Sequence, residues 1–96
     1  MDATQLLKKK RKDILKIAEA HGARNVCVFG SAVRGEAGET SDFDFLVESE
    51  PGTSLLTHAR LIVALEDLLG RTVDAVPSRM LKERIRDRVL AEAEPL

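Results

Sequence analysis

The sequence predicts an α/β (α+β) fold: a small mixed β-sheet of about three strands with helices packed on it, formed as one domain over residues 1–96. Three observations carry that expectation. Apolar stripes at helical spacing alternate along the chain with short β-branched runs. The second and third strand candidates are separated by a helix of about four turns, the usual crossover between parallel neighbours. The first and second are joined by a Gly-Ser turn and a polar loop, and antiparallel pairing there sets Gly30-Ser31 beside Asp42 and Asp44.

The elements follow in order. Ala3 to His21 reads as a helix, with Leu7, Ile14, Leu15 and Ala18 on one stripe and Gly22 as its stop. Arg24 to Phe29 is a buried strand. Gly30 to Arg34 is a tight turn opening a brief helix, and Gly35 to Thr40 a polar loop. Ser41 or Asp42 to Glu48 is the second strand. Pro51-Gly52 breaks the chain, Thr53 or Ser54 caps a helix running to Leu69, and Gly70 closes it. Arg71 to Val76 is the third strand, ended by Pro77. Ser78 then caps a last helix carrying Leu81, Ile85 and Val89.

Composition sets outer limits. The chain is 44% hydrophobic and 32% charged, which is ordinary globular chemistry. Its net charge of −1, with no Trp or Tyr and only three Phe, argues against direct nucleic-acid binding by a basic coat or an aromatic platform. Cys27 is the sole cysteine, so no intramolecular disulfide forms, and it reads as a small buried apolar residue. No apolar run approaches the ~18 residues of a membrane span, and no secretory signal opens the chain, so a cytoplasmic location is expected. The run Lys8-Lys9-Lys10-Arg11-Lys12 spreads around a helix and reads as a solvated face. His21 and His58 read as surface residues.

The chemistry concentrates between Gly30 and Val47. Asp42 and Asp44 stand two apart on a strand and share one face, while Phe43, Phe45 and Val47 share the other. Two neighbouring carboxylates repel unless a cation lies between them, and Mg²⁺ prefers such oxygen ligands. Asp74, flanked by apolar residues in the third strand, can join them if strands two and three are parallel neighbours. Three carboxylates on adjacent strands outline a two-metal site. Gly30 lets backbone approach phosphate oxygens, and Ser31 adds a hydroxyl and an N–H where a helical turn begins. Arg34 can reach a triphosphate. Together these residues point to the handling of a nucleoside triphosphate.

The combination Gly30-Ser31-x-x-Arg34-Gly35, Ser41-Asp42-x-Asp44 and a later Val73-Asp74 resembles the nucleotidyltransferase core of the DNA polymerase beta superfamily, in its minimal form. The resemblance implies transfer of a nucleoside monophosphate to a hydroxyl, with two Mg²⁺ ions per site and ATP as substrate. It implies that Asp42 and Asp44 hold both metals, that Asp74 binds the catalytic metal, and that Gly30, Ser31, Arg34 and Ser41 bind the nucleotide. Members of this size commonly serve as antitoxins that adenylylate a tyrosine of a HEPN-domain toxin. Two other readings stand beside that one: an antitoxin that neutralises by forming a complex, and a transferase acting on a small molecule.

Overall fold

The computed structural model describes residues 3–30 and 42–96. Helix α1 (Ala3–Ala20) buries Ala3, Leu7, Ile14 and Ala18 along one stripe. Lys8, Lys9, Arg11 and Lys12 are exposed on its other faces, as a solvated basic run should be. Gly22, at φ 73°, turns the chain into strand β1 (Ala23–Phe29).

β1 carries a bulge. Its pairing register shifts between Arg24 and Cys27, where Asn25 adopts φ 50°, a conformation asparagine tolerates and β-branched residues do not. The extra residue resets the inward parity, so Ala23 is followed inside by Val26 and Val28.

Strand β2 (Phe43–Ser49) runs antiparallel to β1 and parallel to β3 (Val73–Pro77). Between them crosses helix α2 (Leu55–Leu69). Its start is fixed by the Ser54 side chain, which accepts from the Thr57 N–H at 3.1 Å. Its end is fixed by Gly70 in the left-handed region at φ 67°. Phe43, Phe45 and Val47 alternate into the core, where they meet Ile14 of α1 and Leu61 and Leu65 of α2. The Phe43 and Phe45 rings stack at 6.1 Å. All of the predicted pairings and the apolar face of the second strand are therefore present.

Two features differ from expectation. The sheet has four strands in the order β3-β2-β1-β4, because Glu94–Pro95 (β4) pairs antiparallel with the outer edge of β1. The Leu96 N–H bonds Val26 O at 3.0 Å, and Arg11 Nε donates to Leu96 O at 2.7 Å, so α1 holds the seam. The last helix does not begin at Ser78. Ser78–Met80 closes as a 3-10 turn, Leu81 is extended, and helix α3 (Glu83–Glu92) starts after Lys82. Its apolar positions are not core: Ile85 is 41% exposed. No helix among the described residues is long and apolar enough to cross a membrane.

Candidate active site

Helices α1 and α2 cover one face of the sheet, and the carboxylates are on the other. In the β2–β3 register Asp44 stands directly opposite Asp74, and in the β1–β2 register it stands opposite Phe29, the last residue of β1. Neighbouring strands lie about 4.8 Å apart, so two acidic side chains project side by side from adjacent strands. Both border an open cleft of about 400 Å³ whose walls include Phe29, Val76, Met80, Leu81 and Ile85. Asp42 is exposed just before β2, whose first residue is tied to the residue preceding β3 by the Phe43 N–H to Thr72 O bond of 3.0 Å.

Gly30 completes the described part of the site. It has φ 79°, and a Cβ there would collide with the Asp44 carboxylate. Glycine is thus required twice, by its dihedral angle and by the space Asp44 occupies. The Ser31, Arg34 and Ser41 assignments, with the brief helix and loop between the first two strands, lie outside the described residues.

The donor set fits magnesium chemistry. Asp44 and Asp74 offer hard oxygen ligands in register, and Gly30 leaves Asp44 a side-chain-free neighbour. Among the described residues no three His, Cys, Asp or Glu side chains converge at metal-ligand spacing, so the three carboxylates do not form a closed cage. Mg²⁺ does not need one, since it keeps several waters and takes one or two carboxylates together with substrate phosphates.

Other polar residues divide clearly. Cys27 is half-buried, and burial together with the nearby Glu48 carboxylate raises its thiol pKa, which makes it a poor nucleophile. The two histidines are not free surface residues. His21 Nδ1 donates to Ile17 O at 2.7 Å, and His58 Nε2 donates to Ala75 O at 2.6 Å while its Nδ1 is buried without a partner. The sequence carries a signal for the inward placement of His58, though not for its bond to Ala75 O: it continues the stripe Leu61, Leu65, Leu69 by one step toward the helix start.

Comparison with known proteins agrees with this architecture. Residues 7–94 match the model of the nucleotidyltransferase domain. The protein adenylyltransferase MntA of Thermococcus cleftensis is 48% identical over 77 residues, 80% of this chain and 78% of that protein. The solved structure of a candidate minimal nucleotidyltransferase superposes with a TM-score of 0.86 at 52% identity, covering 96% of this chain and 94% of that one. A complex of tri-AMPylated Shewanella oneidensis HEPN toxin with MNT antitoxin matches at TM-score 0.71 and 18% identity, over 92% of this chain and 69% of that one, a likeness of fold.

Proposed function

From the premise that this chain belongs to the nucleotidyltransferase domain family and is a nucleotidyltransferase enzyme, we propose that it transfers AMP from ATP to a hydroxyl of a HEPN-type toxin and thereby acts as an antitoxin. The observation that carries the reading is the in-register pair Asp44 and Asp74, set beside Gly30 at an open cleft. Support for the partner comes from the Shewanella complex, whose toxin carries AMP. We place the reaction in the cytoplasm, where ATP is made and a lone thiol such as Cys27 stays reduced.

In this reading Asp42 and Asp44 would hold two Mg²⁺ ions, and Asp74 would bind the catalytic one. Mg²⁺ held there would offset triphosphate charge and make the acceptor hydroxyl easier to deprotonate. Gly30 and Ser31 cradle the β and γ phosphates, with Arg34 and Ser41 completing the nucleotide contacts. Asp74 takes the acceptor proton as its oxygen, a tyrosine hydroxyl in our reading, bonds the α phosphorus. The bond from that phosphorus to the bridging oxygen breaks, and pyrophosphate leaves with the electron pair. The cleft opens to the surface, which leaves room for a macromolecular acceptor.

The test is direct. Incubation with a HEPN partner and MgATP should add one or more AMP units to the partner, seen as discrete mass increments. Asp42→Asn and Asp44→Asn should abolish the increment and leave the fold at least as stable in the absence of metal, since a like-charge repulsion is removed. If the Asp42→Asn/Asp44→Asn protein still neutralises the partner stoichiometrically and no mass change appears, complex formation is the mechanism instead. Transfer to a small hydroxyl compound, with none to the partner, would favour the small-molecule reading.

A further inference from the structure

We infer that His58 and Glu66, both on α2, are positioning residues that hold Asp74 against Asp44. The inference rests on the reading of Asp74 as a metal ligand. β3 is an edge strand, bonded to β2 on one side only. In the parallel register Phe43 N–H bonds Thr72 O, so by alternation Thr72 and Asp74 present their backbone groups to β2, and Val73 and Ala75 present theirs outward. Outward groups on an edge are ordinarily left to water and allow the strand to fray or twist. Here both flanks of Asp74 are taken up. Val73 N–H donates to Glu66 Oε2 at 3.1 Å, and Ala75 O accepts from His58 Nε2 at 2.6 Å.

The chemistry of each partner is specific. A carbonyl only accepts, so His58 Nε2 carries the proton of this bond, while Nδ1 is buried and unbonded. A half-buried imidazole whose buried Nδ1 goes unbonded is costly, which makes an incidental contact a poor explanation for it. Glu66 contributes a charge-assisted bond to a backbone N–H. α2 runs antiparallel to β3, so its early residue reaches the late side of Asp74 and its late residue the early side. The residues before and after the aspartate are thereby each tied by one backbone group to a helix that is itself capped at both ends. A carboxylate that must meet a metal and an acceptor proton within a few tenths of an ångström depends on such support.

The experiment uses His58→Leu and Glu66→Leu, each with a partner variant that keeps the bond (His58→Gln, Glu66→Gln), and Asp74→Asn as the reference. In AMP transfer to the partner, the leucine variants should lower kcat at least tenfold and shift the KM for MgATP less than threefold, and the Gln variants should recover most of kcat. Two readouts need no turnover: Mn²⁺ affinity in the presence of a non-hydrolysable ATP analogue should weaken several-fold, and Val73 amide exchange should quicken at least tenfold in Glu66→Leu while α2 amides stay unchanged. If His58→Leu does not fold, His58→Asn, whose amide is too short to reach Ala75 O, carries the same expectation. Unchanged transfer and Mn²⁺ affinity in Asp74→Asn would remove Asp74 from the site and this inference with it. Loss of both in Asp74→Asn, with wild-type kcat and Mn²⁺ affinity in the folded leucine and His58→Asn variants, would overturn the positioning role alone.

Discussion

A single methyl group at position 30 tests how tightly the site is built. Gly30→Ala forces a side chain into a left-handed dihedral angle and against the Asp44 carboxylate. We expect a loss of about 1–3 kcal/mol in urea unfolding. In the double variant with Asp44→Ala the collision is gone and only the dihedral strain remains, so the two losses should not add. Strict additivity would show that Asp44 does not press on Gly30. At this scale the sequence was readable where the signal was a period. Asp44 lies on the face away from Phe43 and Phe45 because strand side chains alternate, and Asp74 falls opposite Asp44 because the crossover makes β2 and β3 parallel. The role of His58 was not readable in that way, since its partner is a backbone carbonyl on an edge strand and no residue type announces it.

Helix α2 was legible end to end because every local signal agrees: a serine cap, a stripe of leucines, and a glycine that accepts a left-handed angle. Ser54→Ala should therefore cost about 1 kcal/mol in a thermal or urea melt, since Thr57 N–H loses its partner. A change below about 0.2 kcal/mol would mean that water replaces the serine without loss. The start of α3 was illegible for the opposite reason. Ser78 looks like a cap, but the Leu81 N–H returns to Ser78 O and closes a tight turn, and the helix restarts after Lys82 without a side-chain cap. β4 left no mark either. Two residues have no period, and what makes Glu94 and Pro95 a strand is the free edge of β1 beside them.

On the scale of the molecule, the two edges of the sheet are finished by different means. The β3 edge is covered locally, by side chains of the helix that immediately precedes it. The β1 edge is covered by the end of the described chain, held in place by an arginine 85 positions away. That difference has a consequence in time. Contacts between near neighbours in sequence close cheaply, and a seam that joins distant segments carries the largest loop-closure cost. The β3 edge should therefore be sealed as soon as α2 docks, while the β1 edge stays bare until the late seam zips shut. Arg11→Ala should leave the refolding rate in a stopped-flow chevron unchanged and quicken unfolding a few-fold, the signature of a contact absent from the transition state. A slowed refolding arm would mean that the seam forms early. During refolding at high protein concentration, β1 is accordingly the strand through which one molecule would first capture another.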